Sequence, residues 1–140
     1  MKKLFTSFYH RSPWLNPRAL QVQTSRTAPK NWSPNRRMVC MELAPSAAIL
    51  EMSRKRLGDW RDAYRRQLQR LLDSGRLAKI VQQLSPEAIL LCYESNPEDC
   101  HRSILASFLT EHGLAEVVEA PSGSSPPRPP TTSEEDRVLL

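Results

Sequence analysis

The segment Ile89–Leu105 constrains the fold of this chain more than any other stretch. It joins a continuous apolar run, Ala88–Cys92, to a short polar loop and a helix start. Continuous apolarity is typical of a parallel strand that is buried on both faces. In open α/β proteins, small ligands bind beyond the carboxyl end of such a strand, near the N-terminus of the next helix. The sequence therefore predicts a ligand site between this strand and this helix.

The other patterns alternate strands with helices. Lys3–Tyr9 is a predicted strand, and Ala19–Ser25 is another because apolar and polar residues alternate in it. Residues 27–38 contain two prolines and predict a basic loop with Trp32 as its large anchor. Further predicted elements are a helix capped by Ser46 and running to about Leu57, a helix Trp60–Leu72 capped by Asp59, a short helix Leu77–Leu84, a helix from about Pro97 to His112, and a strand Ala115–Ala120.

This order predicts an α/β fold: one compact, three-layer domain over residues 1–120 with a small, mostly parallel sheet. Residues 121–140 are rich in Pro, Ser and Thr, which predicts a disordered C-terminal tail. No apolar run is long enough to cross a membrane, and the N-terminus lacks a signal core, so we expect a cytoplasmic protein without membrane contact. The three cysteines show no CxxC spacing, which predicts reduced thiols.

Charge is distributed unevenly along the chain. Residues 1–79 hold 17 Lys and Arg against 5 Asp and Glu, whereas residues 80–140 hold 3 against 10. In one interpretation, the basic half attracts a phosphate-bearing ligand or nucleic acid. In the other, it is a solvated surface that the acidic half partly neutralises. Because no nucleic-acid-binding motif is present, the sequence favours the solvated surface. The basic residues expected to border the crevice of the predicted site, and to contribute anion affinity there, are Arg26, Lys30, Arg36 and Arg37.

The loop after the apolar strand holds the candidate chemistry. With Asn96 as the helix cap, Cys100 lies one turn inside the helix; with Asp99 as the cap, it lies at the helix tip, where a thiol pKa falls. In the catalytic interpretation Cys100 or Cys92 attacks, and His101 or Arg102 supplies proton transfer or anion stabilisation. Cys100 and His101 are the predicted catalytic pair. In the structural interpretation the cysteines pack, and His101 ties the loop to the sheet by a hydrogen bond. The predicted ligand-binding residues are Cys92, Tyr93, Glu94, Arg102, Arg26, Lys30 and Trp32.

A metal site is the third interpretation of this loop. Cys92, Cys100 and His101 supply three soft ligands, and a fourth would have to come from Cys40, His10 or His112. This spacing is weak evidence, so the sequence predicts no metal and leaves any cofactor undetermined.

Several segments resemble one bacterial family. Leu90–Glu94 and Cys100–Ala106 are similar to the signature of the family known as domain of unknown function 488, and Ser25-Arg26, Pro29–Trp32 and Leu43–Pro45 are similar to its N-terminal half. The resemblance covers about residues 3–118. It implies a compact α/β domain with its site at the Cys-His-Arg segment, and it implies no particular reaction.

These observations predict a protein that binds or transforms a small anionic, nucleotide-like ligand at the Cys92–Arg102 junction. Two alternatives stay open: a nucleic-acid-binding or interaction protein that uses the basic half, and a cysteine-dependent enzyme. The sequence does not indicate the oligomeric state. It contains no Walker loop, no GxGxxG turn and no Cys-x5-Arg loop.

Overall fold

The computed structural model describes residues 1–56, 58–94 and 100–120. The strands are β1 (Lys3–Phe8), β2 (Gln21–Gln23), β3 (Arg37–Val39), β4 (Ile89–Cys92) and β5 (Glu116–Glu119). They form a five-stranded sheet in the order β3-β2-β4-β1-β5, and each neighbouring pair is parallel. The predicted α/β fold with a mostly parallel sheet is confirmed.

Among the described residues, four α-helices accompany the sheet, together with two 3₁₀ helices, Tyr9–Trp14 and Met41–Leu43. The α-helices are α1 (Ala47–Lys55), α2 (Trp60–Asp73), α3 (Arg76–Gln83) and α4 (His101–Glu111). Both predicted caps are confirmed. The Ser46 hydroxyl accepts the backbone N–H of Ile49, and the Asp59 carboxylate accepts the N–H groups of two residues in the first turn of α2.

The sheet separates two apolar cores. Leu4, Val22 and Leu90 face the helices, in a core that also includes residues of α1 to α4. Alternate strand residues such as Ile89 and Leu91 face the other way and pack with side chains of the 3₁₀ helix and the loops, including Trp32. The domain therefore has a helical layer, a sheet and a layer of loops. All four residues of β4 are buried, as its continuous apolarity predicted.

Some element bounds differ from the sequence prediction. β2 is shorter than Ala19–Ser25, and β3 lies at the end of a stretch that was predicted as loop. β3 is an edge strand that pairs with β2. This pairing makes the segment a strand, whereas its own mixed sequence pattern did not predict one. Helix α4 begins at His101 and not near Pro97, because Cys100 has an extended backbone. The prediction of Asn96 or Asp99 as the cap of this helix is wrong, because Cys100 is itself its N-cap. Residues 96 and 99 and the predicted tail 121–140 lie outside the described residues.

None of the helices in the part of the chain that the structure describes has the length and apolarity needed to span a membrane.

Candidate functional site

Three strand ends meet at the carboxyl edge of the sheet. β1 ends at Phe8 and β4 at Cys92, and these two residues are aligned in the parallel register. β2 ends beside them at Gln23. Helix α4 starts next to this edge, with Cys100 as its N-cap. This is the edge at which parallel α/β folds bind ligands, as the sequence predicted.

Cys92 and Cys100 are joined by a disulfide. Both are buried, and the third cysteine, Cys40, is free and buried. The prediction of reduced thiols is therefore wrong for this pair. The separation of eight residues carries no disulfide signature. The two sulfurs meet because the fold places the last residue of β4 beside the first turn of α4.

His101 connects α4 to the end of β2. Its Nε2 lies 2.6 Å from the backbone oxygen of Thr24 and 3.2 Å from the Thr24 hydroxyl. That hydroxyl donates its own hydrogen to the Leu91 carbonyl, so Nε2–H donates to the Thr24 carbonyl and Nδ1 is unprotonated. The predicted hydrogen bond between loop and sheet is confirmed. Nδ1 lies 3.6 Å from Cys100 Sγ. The sequence did not predict this contact, because adjacent residues of a helix point about 100° apart.

The environment keeps the His101 imidazole neutral. Burial lowers its pKa to about 4, the charge of Arg102 acts in the same direction, and the hydrogen bond to Thr24 opposes the shift. The buried Tyr64 ring packs edge-on against the imidazole, with 5.4 Å between ring centroids. At neutral pH, His101 is therefore an unprotonated imidazole whose free nitrogen faces Cys100 Sγ.

Arg102 is completely buried behind the disulfide. Its Nη2 lies 2.7 Å from a carboxylate oxygen of Glu119, whose carboxylate also accepts the Thr6 hydroxyl at 2.6 Å. Its Nη1 donates to Cys92 Sγ at 3.1 Å and to the backbone carbonyl of Glu94. Arg102 thus reaches the loop after Cys92, as predicted. A ligand anion could bind Arg102 only by displacing Glu119. Arg102 therefore supports the site from the interior of the protein.

A cleft of about 500 Å³ opens in front of the disulfide. The loop after β2, the loop after β4 and the N-terminus of α4 form one wall, and the region of α1 and the start of α2 forms the other. The lining residues include Arg26, Cys92, Tyr93, Glu94, Cys100 and His101 on the first wall, and Leu50, Arg54 and Trp60 on the second.

Tyr93 and Trp32 have different positions relative to this cleft. Tyr93 is 47% exposed at the rim, and its hydroxyl lies 3.2 Å from the Thr27 hydroxyl. Trp32 is buried, donates its indole N–H to the Gln21 side chain and lines a second cleft of about 660 Å³. Tyr93 lines both clefts, whereas Trp32 is absent from the first.

The other basic residues expected at the crevice lie outside the 500 Å³ cleft. Lys30 is exposed and lines neither cleft. The guanidinium of Arg36 donates to the backbone carbonyl of Arg18, and that of Arg37 stacks on the Trp32 ring at 5.5 Å from its centroid. Of the four, Arg26 alone lines the cleft among the residues that the structure describes.

Part of the basic surface is paired with acidic residues. Exposed or half-exposed ion pairs join Lys55 to Glu51, Arg65 to Glu111, Arg66 to Asp62 and Arg76 to Glu42. The hydrogen bonds from Arg76 hold the pKa of the Glu42 carboxyl below its usual range. These contacts agree with a solvated surface that the fold partly neutralises.

Sequence reasoning missed several residues of the site. Glu119 was predicted only as part of a strand, although it is the carboxylate that neutralises Arg102. Thr24 carries the carbonyl that fixes His101, and Ser25 bonds the Tyr9 hydroxyl at 2.6 Å. Burial raises the pKa of Tyr9 to about 12. Each of these residues follows or ends a strand, so strand assignment followed by sheet order is the signal that would have found them.

The donor atoms of Cys92, Cys100 and His101 lie within 4.8 Å of one another. The sequence prediction considered Cys40, His10 or His112 as a fourth metal ligand. None of them belongs to this group in the described part of the chain. Among the described residues, this group therefore offers a metal ion three donor atoms, from residues that line the cleft.

The fold and the site define a class of protein: a parallel α/β domain whose carboxyl edge carries a cysteine pair and a histidine in a cleft. A family model described as "Active DUF488-N3 subclade" (DUF488-N3a) matches residues 8–113. The chain belongs to this family of domain of unknown function 488 proteins, which confirms the resemblance found in the sequence. Comparisons with curated proteins and with solved structures found no match.

Proposed function

We propose that this protein binds a small anionic, nucleotide-like ligand in the 500 Å³ cleft, against the Cys92–Cys100–His101 group. One observation carries the proposal: six of the nine residues predicted for the site from the sequence line this single cleft. They are Arg26, Cys92, Tyr93, Glu94, Cys100 and His101. The volume falls in the range of small-molecule sites, roughly 300–1,000 Å³.

Two arginines supply the positive charge of the cleft. Arg26 follows β2, is exposed and forms no ion pair with any described residue. Arg54 on α1 lines the facing wall and pairs at 3.3 Å with Glu51, which lines the same cleft; an ion pair as exposed as this one stabilises little in water. A phosphate bound between the walls would therefore take its main charge-assisted hydrogen bonds from Arg26.

The remainder of the cleft suits a flat, partly polar group. Tyr93 and Trp60 offer aromatic surface, and Leu50 is 37% exposed there. Bases stack on such rings with little dependence on sequence. The Glu94 carboxylate also lines the cleft and is a suitable acceptor for sugar hydroxyls, whereas it repels a second anion. This combination favours a ligand with one anionic end, such as a nucleoside monophosphate.

Titration of the full chain with nucleoside monophosphates at low salt tests this proposal. We expect Arg26→Ala to weaken binding about tenfold or more, since a charge-assisted hydrogen bond contributes roughly 1.5–3 kcal/mol. Lys30→Ala is the matched control, because Lys30 lies in the same loop but outside the cleft, and it should bind like the wild type. Affinity should also fall as salt screens the exposed charge.

Absence of nucleotide binding at low salt would overturn the proposal, as would equal losses in the two variants. Binding of single-stranded nucleic acid that Arg26→Ala leaves unchanged would favour the basic surface instead, and so the nucleic-acid alternative.

A second candidate function, a cysteine-dependent enzyme acting in the same cleft, is favoured by the 3.6 Å contact between Cys100 Sγ and His101 Nδ1. Once the disulfide is reduced, the unprotonated Nδ1 is placed to accept the Cys100 thiol proton, and the thiolate can attack an electrophilic ligand. The Arg102 guanidinium stabilises negative charge on Cys92 from 3.1 Å. In this candidate Cys100 is the nucleophile and His101 the base.

We also propose a cytoplasmic location, which the sequence predicts. Thiol reductants keep cysteines reduced in that compartment. The dithiol form of the site is then the working form, and the disulfide is its oxidised state.

A further inference from the structure

We propose that Cys92, Cys100 and His101, after reduction of the disulfide, form a zinc site whose fourth coordination position opens into the cleft. Zinc uptake does not depend on the anionic ligand. Only the assignment of the open position to that ligand rests on the proposed function.

The geometry of the three donors suits tetrahedral zinc. Their ligand atoms already lie within 4.8 Å of one another, and all three residues are buried. Zinc bonds of about 2.3 Å to sulfur and about 2.0 Å to nitrogen place the donors of a tetrahedral site about 3.5–3.8 Å apart. Two thiols that are no longer bonded to each other separate to a similar distance. A small opening of the reduced pair is therefore sufficient, with β4 and α4 kept in place.

The orientation of His101 is that of a metal ligand. Zinc-bound histidines commonly donate their second ring N–H to a backbone carbonyl or a carboxylate, which fixes the tautomer and directs the free nitrogen at the metal. His101 Nε2–H is held in this way by the Thr24 carbonyl at 2.6 Å. Its unprotonated Nδ1 faces Cys100 Sγ. The ring thus needs no rotation to bind.

The charges also balance around this group. Two buried thiolates carry two negative charges, which a zinc ion cancels, and an uncompensated buried charge is costly. Arg102 donates a hydrogen bond to Cys92 Sγ at 3.1 Å, as outer groups do to zinc-bound sulfur. Its own charge is matched by Glu119 at 2.7 Å. Among the described residues, the charges of zinc, the two thiolates, Arg102 and Glu119 therefore cancel.

Three protein ligands leave one position for a water or a ligand atom. Sites of this kind, with two cysteines and one histidine, are catalytic, whereas four protein ligands are typical of structural sites. The three residues line the cleft, and the described part of the chain contributes no fourth histidine, cysteine or carboxylate to the group. The open position therefore takes a water or the anionic end of the ligand, and bound zinc lowers the pKa of such a water.

Formation of the site is a balanced pair of steps. Two equivalents of a thiol reductant convert the disulfide to two cysteine thiols and are themselves oxidised to their disulfide. Zinc then binds both sulfurs and Nδ1, and the two thiol protons go to solvent while Nε2 keeps its hydrogen. The oxidised pair has no thiolate to offer and does not bind.

The test is zinc content after anaerobic reduction of the full chain with a phosphine, incubation with Zn²⁺ and removal of free metal. We expect one zinc per chain in the reduced wild type and none in the oxidised protein. Cys92→Ser and Cys100→Ser should lose stoichiometric zinc, while Cys40→Ala should keep it, because Cys40 is a buried free cysteine outside the group.

A second measurement on the wild type guards against variants that fail to fold. Co²⁺ added to the reduced protein should produce thiolate-to-cobalt charge-transfer absorption that Zn²⁺ abolishes. The proposal is overturned if the reduced wild type takes up no stoichiometric zinc, if it unfolds on reduction, or if zinc persists in the folded Cys92→Ser or Cys100→Ser variant. Each of these results can occur whether or not nucleotides bind, so failure here and failure of the proposed function are distinguishable.

Discussion

Single residues carry the connections between elements at this site, and His101 is the most informative of them. It is buried, its Nε2–H satisfies the Thr24 carbonyl, and its ring packs on Tyr64. A histidine on the same face as the apolar residues of its helix was expected to have a packing role. The structure shows that the same side chain also aims a free nitrogen at the sulfurs, so packing and chemistry are not alternatives here.

We expect His101→Ala to lower the free energy of unfolding of the disulfide-bonded protein by about 1–3 kcal/mol. The physical reason is that the Thr24 carbonyl loses its partner in a buried place. His10→Ala is the control, because His10 is exposed, and it should change stability by less than about 0.5 kcal/mol. Urea unfolding provides the measurement. A loss as small as that of the control would mean that the Thr24 carbonyl finds another partner.

The His101→Ala variant also tests whether His101 acts as a base toward Cys100 in addition to its packing role. In reduced, metal-free protein at neutral pH, Cys100 should react with iodoacetamide faster than Cys40, and His101→Ala should slow the reaction of Cys100 at least tenfold. Mass spectrometry of the labelled peptides gives both rates in one sample. If Cys100 reacts only when the protein is unfolded, the cysteine-dependent enzyme is excluded.

At the scale of elements, α4 is held to the sheet from both of its sides. His101 binds the end of β2, and the next residue, Arg102, binds Glu119 at the end of β5. Consecutive helical residues point about 100° apart, so one helix start can reach two strands on opposite sides of β4. This arrangement fixes Cys100 at the carboxyl edge.

We expect Glu119→Ala to cost about 2–3 kcal/mol of stability, because it removes a carboxylate that pairs with the fully buried Arg102 guanidinium. Glu119 is one-third exposed, and water reduces the loss below that of a fully buried pair. Glu116→Ala on the same strand is exposed and should be nearly neutral. Thermal melts of both variants decide the matter. Equal midpoints would show that Arg102 does not depend on this partner.

Local signals predicted most elements, and long-range contacts explain the failures. Ser46 and Asp59 were identified as caps because a cap bonds residues two or three positions away. β3 was missed because an edge strand of three residues is defined by pairing with β2. The disulfide and the Arg102–Glu119 pair were missed for the same reason: each joins elements whose approach follows from sheet order, which local patterns do not contain.

For the whole molecule, the order of the strands decides where chemistry is located. β4 enters the sheet between β2 and β1, so residues after three different strands converge on its carboxyl end. The sequence alone predicted a site at Cys92–Arg102, and most of the residues predicted for it line one cleft. Lys30 and Trp32 do not line that cleft, and a basic or aromatic residue in a loop carries no information about which face of the sheet the loop covers.

The last prediction concerns the extent of the folded unit, residues 1–120. Both apolar cores, all five described strands and the Arg102–Glu119 pair lie within these residues. Deletion of residues 121–140 should therefore leave the melting midpoint within about 2 °C of the full chain, because it removes none of these elements or contacts. Deletion of residues 114–140 is the contrasting control, because it also removes β5, with the buried side chain of Val117 and the Glu119 carboxylate that binds Arg102. This longer truncation should not fold cooperatively. A fall of many degrees in the shorter truncation would mean that the tail contributes to the core, and the boundary at residue 120 would then be wrong.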